Sequence, residues 1–367
     1  MSTRKTKLCV GDWVEILSKE EILETLDENG QLDSMPFMPE MFAFCGKRFQ
    51  VYKRAHKTCD TVFPVRGRRV HQAIHLDTRC DGSAHGGCQA SCLLFWKEAW
   101  LKPLGKNPLQ GAPVRNGGSS EQRSAVQSCT GCSEMHVWNR AQTVSAEGEE
   151  PTYTCQATQL PYATTNLEWW DFSQYIEDYR SGNVGLWRLV CGGVYFAYLW
   201  LSRTGIGLGR PMRWFYDKFH RLWAGTPFPR RRGTIPVGDR TPGRSLNLQP
   251  GELVRIKPYK EILQTIDYNN RNRGLYFDAE EVPYCEQTYR VQKRVTKIIN
   301  ERTGKMRVMK TPSVILDSVI CESRYSECRL FCPRSIYSYW REIWLDRVGP
   351  EPAKAELQEE DRVATTQ

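Results

Sequence analysis

Hydrophobic and polar residues alternate in two short segments near the start of the chain. Val14 and Ile16 alternate with polar neighbours in GDWVEI, and the same period of two continues in FQVYKR from Phe49. Successive side chains of a strand point to opposite faces, so this pattern predicts half-buried β-strands. Both segments recur late in the chain as GELVRI and YRVQKR, where IINERTGKMRVM adds two strand-like arms around a Thr-Gly turn.

The recurrence belongs to a longer internal repeat. GDWVEILSKEEILETLD at Gly11 reappears as GELVRIKPYKEILQTID at Gly251, a shift of 240 positions. The same shift pairs Glu40 with Glu280 and Cys45 with Cys285. Such self-similarity over this length indicates that one module is present twice.

Both copies end in a segment with two tryptophans four residues apart. These segments are WKEAWL from Trp96 and WREIWL from Trp340. A spacing of four places side chains on one face of a helix, so the pattern predicts a Trp-rich helix at the end of each copy.

The opening G-D-x-V strand, followed by a basic alternating strand, resembles SH3-like barrels over about fifty residues of each copy. The resemblance implies a shape and no function. We therefore predict an α+β protein with two small SH3-like barrel modules on either side of a helical middle unit. The predicted division is a first module at 8–104, a linker at 105–127, a central unit at 128–225, a linker at 226–248, a second module at 249–348 and a tail at 349–367.

The middle unit contains an apolar stretch and a basic amphipathic one. The apolar stretch, VGLWRLVCGGVYFAYLWLS from Val184, contains Arg188 and is shorter than the ~20 uncharged residues that a bilayer span needs. We predict no transmembrane span. Apolar residues from Met212 to Trp223 recur at helical spacing among basic residues, so 184–223 is a candidate for peripheral membrane contact.

The chain has 14 cysteines, and eight of them fall at matching places in the two copies. Four thiolates per module satisfy the ligand count of a tetrahedral metal site. The predicted metal ligands are Cys45, Cys80, Cys88 and Cys92 in the first module and Cys285, Cys321, Cys328 and Cys332 in the second. Zinc sites usually contain C-x2-C pairs, which both modules lack, whereas iron-sulfur clusters accept more scattered cysteines. Zinc and an iron-sulfur cluster therefore both stay open as the cofactor.

Three more cysteines form a candidate cofactor site in the middle unit. Cys129 and Cys132 have C-x2-C spacing, and Cys155 follows after a gap. The fourth ligand could be water or substrate, which would leave an open catalytic site, or a side chain, which would make the site structural. The candidate side chains are His136, Cys191, Cys59 and His85.

The net charge of +9 favours anionic partners. The start of the chain lacks the features of a secretory signal, so we expect a cytoplasmic protein, in which disulfides are rare. The leading hypothesis is an intracellular cysteine-ligated metalloprotein with duplicated binding or scaffolding modules. The alternatives are an iron-sulfur or thiol-dependent biosynthetic enzyme with its reaction centre at the middle cysteines and, third, a protein that binds nucleic acid or an anionic surface. A protein partner or an anionic ligand is expected in each case.

Overall fold

The computed structural model describes residues 7–61, 66–105, 132–144, 149–203, 209–222 and 225–349. Within these ranges the chain has a mixed α+β fold with several antiparallel sheets, as the sequence predicts. The predicted first linker and the tail fall almost entirely outside the described residues.

The first copy is built around a five-stranded antiparallel sheet. Its elements in chain order are β1 (Trp13–Ile16), α1 (Lys19–Leu23), β2 (Gln31–Leu32), β3 (Met35–Pro36), a 3-10 helix (Pro39–Phe44), β4 (Arg48–Arg54), β5 (Lys57–Asp60), β6 (Arg66–Arg69), β7 (Ala73–Arg79), β8 (Leu93–Lys97), a 3-10 helix (Glu98–Trp100) and β9 (Leu101–Gly105). The strand order is β8-β7-β4-β1-β9. Val14 and Ile16 of β1 are fully buried, as the alternation predicts.

The middle of the chain is mainly helical. It contains α2 (Glu134–Ala141), β10 (Gln142–Thr143), β11 (Thr152–Tyr153), α3 (Gln156–Ala163), β12 (Thr165–Leu167), α4 (Ser173–Arg180), α5 (Leu186–Ser202) and α6 (Gly209–Leu222). Val137 of α2 and Leu160 of α3 belong to the core of the first copy, and β12 pairs with β6. This part of the middle region therefore packs directly on the first copy.

The second copy repeats the strand pairing of the first. Its elements are β13 (Leu253–Ile256), α7 (Tyr259–Leu263), β14 (Arg271–Asn272), β15 (Leu275–Tyr276), a 3-10 helix (Ala279–Tyr284), β16 (Thr288–Ile299), β17 (Met306–Leu316), a 3-10 helix (Glu342–Trp344) and β18 (Leu345–Arg347). Trp13 faces Gln50 in the first copy, and Leu253 faces Arg290 in the second, which is the same register after the shift. The sheet order β17-β16-β13-β18 has two edges, like that of the first copy. The SH3-like shape stays a proposal.

The predicted Trp-rich helices are wrong. Trp96 lies on β8, and Trp100 ends a three-residue 3-10 helix between β8 and β9. Trp340 precedes the equivalent 3-10 helix, which ends at Trp344. All four indoles are fully buried. A strand followed by one tight turn brings two rings four residues apart into the same core, so the spacing alone does not require an α-helix.

Reciprocal hydrogen bonds join the two copies. The ammonium of Lys57 in the first copy donates to the Leu330 carbonyl at 2.8 Å, and that of Lys297, its repeat equivalent, donates to the Gly86 carbonyl at 2.8 Å. Lys53 donates to Ser335 Oγ at 3.0 Å. The equivalent Lys293 donates to Ser91 Oγ. Each copy therefore contacts the cysteine-containing loop of the other in nearly the same way.

Candidate metal centres

Three of the first copy's predicted ligands lie at one end of the strand pair β7 and β8. Cys80 directly follows β7, and Cys92 directly precedes β8. The Cys80 backbone N–H donates to the Cys92 carbonyl at 2.9 Å. Cys88 lies in the loop between them, where its N–H donates to the His85 carbonyl at 3.1 Å. An antiparallel strand pair thus brings three sulfur-bearing residues into one loop.

A buried glutamate anchors this loop. Glu40 Oε1 lies 2.7 Å from His85 Nδ1 and accepts the Ala84 N–H at 3.1 Å. The other ring nitrogen, Nε2, donates to the Thr154 carbonyl at 3.0 Å. Both nitrogens of His85 therefore have a polar neighbour within hydrogen-bond distance. Its contacts make His85 a link between the loop, Glu40 and the middle region.

The second copy anchors its loop in the same way. Glu280, the repeat equivalent of Glu40, accepts the backbone N–H groups of Arg324 at 2.8 Å and Tyr325 at 2.6 Å. Its Oε1 also accepts the Ser326 hydroxyl at 3.0 Å. These donors lie between Cys321 and Cys328, as Ala84 and His85 lie between Cys80 and Cys88 in the first copy.

Cys155 of the middle region lies beside the first loop. It is the N-cap residue of α3. Its neighbour Gln156 accepts the Phe95 N–H at 2.9 Å and donates to the Phe95 carbonyl at 2.8 Å. Burial raises the pKa of Cys92 to about 12 and that of Cys155 to about 11, and the thiol of Cys88 acts in the same direction on both. Burial also raises the pKa of Cys80, and so does the thiol of Cys92. Each of these three pKa shifts includes an effect of another cysteine thiol, so Cys80, Cys88, Cys92 and Cys155 lie near one another.

Cys59 of the first copy lies beside the cysteine loop of the second. It is buried on β5, and its carbonyl accepts a hydrogen bond from Arg334 at 3.2 Å. A hydrogen bond from the Cys332 thiol lowers the pKa of Cys59 to about 5, and the guanidinium groups of Arg334 and Arg329 act in the same direction. A low pKa favours the thiolate, which is the form that binds metal. Burial raises the pKa of Cys321, and the thiol of Cys59 adds to this increase.

Two of the predicted ligands, Cys45 and Cys285, occupy equivalent places in the two copies. Each directly follows the 3-10 helix of its copy and packs against that copy's core. Burial raises the pKa of Cys45, and the next largest effects on its thiol come from Lys19 and Glu20. Burial raises the pKa of Cys285 as well, and Glu281 is the next largest cause of the increase. For neither thiol is another cysteine among the causes of the shift.

In the described part of the chain, one group of three metal-ligating side chains has all its ligand atoms within 4.8 Å of one another. It consists of Glu40, Cys80 and His85. No three cysteine sulfurs among the described residues meet this distance. Metal binding by either set of four cysteines stays a prediction.

Of the three middle cysteines, the structure describes Cys132 and Cys155. Cys129 lies outside the described residues. Cys132 is buried in the core of the first copy, where burial raises its pKa and Asp27 adds to the increase. Cys155 packs against the same core and lies beside the first loop. His136 belongs to the N-terminal cap of α2, and Cys191 is exposed on α5. Each described cysteine is a free thiol.

The repeat pairs Glu40 with Glu280, but no sequence pattern assigns a role to either residue. A carboxylate that keeps its place in both copies of a hydrophobic module is the signal that could have marked it. Cys59 was considered as a ligand of the middle site. Its place beside the second loop could not be predicted from the repeat, because its equivalent in the second copy is Ile299.

Helices α5 and α6 form a surface that is rich in exposed aromatic and basic side chains. Trp187, Trp214, Phe215 and Phe219 are all more than half exposed. Tyr195, Tyr216 and Phe331 line an open groove of about 700 Å³ between the helices and the second cysteine loop. None of the described helices, including the 17-residue α5, combines the length and hydropathy that crossing a bilayer requires.

Compared with known proteins, the sequence matches no family model and no curated protein.

Proposed function

We propose that this chain is an intracellular, cytoplasmic metalloprotein in which cysteine-bound zinc or iron-sulfur clusters stabilise a scaffold of two copies of one small SH3-like module. The observation that carries the proposal is the loop of three cysteines that each copy fixes to an equivalent buried glutamate, Glu40 or Glu280. In a reducing compartment, free thiols at such spacings favour metal ligation over disulfides. A protein partner or an anionic ligand would bind the assembled scaffold.

Metal analysis tests this proposal. The full chain would be purified anaerobically under reducing conditions from cells supplied with zinc and iron. Colourless protein with bound zinc, or brown protein with equal amounts of iron and sulfide, is the expected result. Protein that is folded and free of both metals would contradict the proposal.

The enzymatic alternative rests on Cys129, Cys132 and Cys155, of which Cys132 and Cys155 both pack on the core of the first copy. One variant tests this enzymatic alternative. Replacing Cys132 by Ser should leave the metal content unchanged if the middle cysteines do not share an ion. Loss of one metal equivalent would instead support a middle site.

A second candidate function is binding of an anionic membrane surface by α5 and α6. The exposed faces of α6 carry aromatic side chains together with Arg213 and Lys218, a combination typical of interfacial helices. Each cation near an anionic bilayer contributes about 1 kcal/mol. Replacing both Arg213 and Lys218 by Glu should therefore weaken binding to phosphatidylserine vesicles more than about tenfold.

The matched control replaces Arg240 and Lys310, which are exposed elsewhere, by Glu. It has the same net charge and should bind the vesicles like the unchanged protein. Equal losses in both variants would indicate a general charge effect. Salt-sensitive binding to RNA or DNA with no vesicle binding would favour nucleic acid as the ligand.

A further inference from the structure

We propose that the chain contains two four-sulfur metal sites and that each takes three ligands from one loop and the fourth from a different part of the chain. This assignment rests on the proposed metalloprotein function. The first site consists of Cys80, Cys88, Cys92 and Cys155, and the second consists of Cys321, Cys328, Cys332 and Cys59. Cys45 and Cys285 are not ligands.

The second site lies between the two copies. Arg334, two residues after Cys332, donates to the carbonyl of Cys59. In the β5–β6 pair Cys59 faces Gly67, and a Cβ at Gly67 would lie only 2.9 Å from the Cys328 carbonyl oxygen. Strand β5 therefore lies directly against the loop that carries the other three sulfurs. This close approach explains why a cysteine at position 59 can complete the site.

The first site lies between the first copy and the middle region. One neighbour of Cys155 is held on the loop and the other on β8, because the Thr154 carbonyl accepts from His85 and Gln156 pairs with Phe95. Both contacts are polar and partly or fully buried, so the position of Cys155 between them is fixed. Cys155 also starts α3, where the helix dipole favours a thiolate.

The reciprocal arrangement of the copies explains why the fourth ligands differ. The residue equivalent to Cys59 is Ile299, and it lies beside the first loop, with its N–H 3.4 Å from Cys88 Sγ. Strand β16 of the second copy thus contacts the first cysteine loop in the same way that β5 of the first copy contacts the second cysteine loop. Isoleucine offers no ligand atom, so the first site needs a sulfur from another source, and Cys155 is placed to supply it.

A partly buried lysine from the opposite copy lies against each cysteine loop, through Lys53 and Ser335 at one and Lys293 and Ser91 at the other. Four thiolates around a divalent ion have a net charge of −2, which is costly to bury without a nearby cation. Burial lowers the pKa of Lys53, and the thiols of Cys332 and Cys321 oppose this shift. Burial likewise lowers the pKa of Lys293, and the thiols of Cys88 and Cys80 oppose it. These repeat-equivalent lysines are placed to balance the charge of the two sites.

Zinc–sulfur bonds of about 2.3 Å would bring the four sulfurs to about 3.8 Å from one another. Because no three of them meet a 4.8 Å limit in the structure, metal binding must draw the loops toward Cys59 and Cys155. Each thiol that becomes a ligand loses its proton to solvent as its sulfur–metal bond forms. A bound ion would thus tie separate parts of the chain together.

Four single variants of the full chain test the ligand sets. Cys59→Ser and Cys155→Ser each remove a proposed fourth ligand, and Cys45→Ser and Cys285→Ser are controls from the same modules. Each protein would be stripped of metal and titrated with zinc and, separately, with cobalt, whose sulfur charge-transfer absorption reports the number of thiolates. The unchanged protein and both controls should bind two ions with four thiolates each. Cys59→Ser and Cys155→Ser should each weaken one site by at least about 100-fold and lose one thiolate.

Alkylation of the unchanged protein supplies an independent measurement if a variant does not fold. With zinc bound, Cys59 and Cys155 should be protected from iodoacetamide, and a chelator should remove this protection. Half-buried Cys45 should react at the same rate in both states. Loss of metal from the Cys45→Ser and Cys285→Ser controls, with none from the other two variants, would overturn the ligand sets and leave the proposed function standing. Absence of zinc and cobalt binding by the unchanged protein, together with absence of iron and sulfide after anaerobic purification, would overturn both.

Discussion

The salt bridge between Lys57 and Asp178 gives the sharpest test of how the parts of the chain are joined. The Lys57 ammonium on β5 lies 2.5 Å from Asp178 on α4, 3.3 Å from the Gln174 side chain and 2.8 Å from the Leu330 carbonyl of the second copy. Both charged side chains are almost completely buried, at 3% and 0% exposure. One buried cation thus connects three parts of the fold.

Replacing Asp178 by Asn keeps the shape and removes the charge, so the ammonium is left buried without a counterion. Removing one partner of a buried pair typically costs about 3–5 kcal/mol. Burial raises the pKa of Asp178 to about 6, so the measurement belongs at pH 8, where the carboxylate is ionised. Urea unfolding followed by tryptophan fluorescence under reducing conditions would give the change in the free energy of unfolding.

Two comparisons make this prediction refutable. Asp171 pairs with Arg69 at 2.7 Å but is 40% exposed, so Asp171→Asn should cost less than about 1 kcal/mol. Combining Lys57→Met with Asp178→Leu removes both charges and should restore much of the lost stability. If Asp178→Asn costs no more than Asp171→Asn, the buried pair does not stabilise the junction and the reasoning fails.

Three further predictions concern single residues. Burial lowers the pKa of His75 to about 3 from its ordinary 6.5. The stability that His75 contributes above pH 6.5 should therefore be lost as the pH falls toward 3, by up to about 5 kcal/mol. In acid-unfolding curves, His75→Phe should make this loss of stability with falling pH less steep. Gly67→Ala should cost about 1–3 kcal/mol in thermal or urea unfolding, because its Cβ would lie 2.8 Å from the Leu167 carbonyl; an unchanged midpoint would contradict this. Glu280→Gln places an amide against backbone donors and should cost about 1–3 kcal/mol, with faster amide exchange in 324–326; protection equal to that of the unchanged protein would exclude the anchoring role.

The first strands of each copy could be predicted from the sequence, because the period-two alternation that indicates a strand occurs in both copies of the repeat. Val14 and Ile16 face the core, and Val254 and Ile256 do so in the second copy. The Trp segments could not be assigned correctly from spacing. A strand followed by a short 3-10 helix places Trp96 and Trp100 in one core, as adjacent turns of an α-helix would.

Repeat alignment shows which positions are equivalent but does not show which side chains lie next to one another. It groups Cys45 with the other predicted ligands because each has a counterpart in the second copy. Equivalence between copies shows a shared position, and for Cys45 that position is the end of a 3-10 helix packed on the core. Cys155 and Cys59 meet the loops through contacts between distant segments, which no local pattern contains.

The reciprocal contacts between the copies have a consequence for how the chain can vary. If two identical subunits faced each other in this way, every substitution would alter two places at once. Joining both halves in one polypeptide removes that constraint, so Cys59 and Ile299 can occupy equivalent positions with different chemistry. Each half can therefore specialise while the other keeps the ancestral contact.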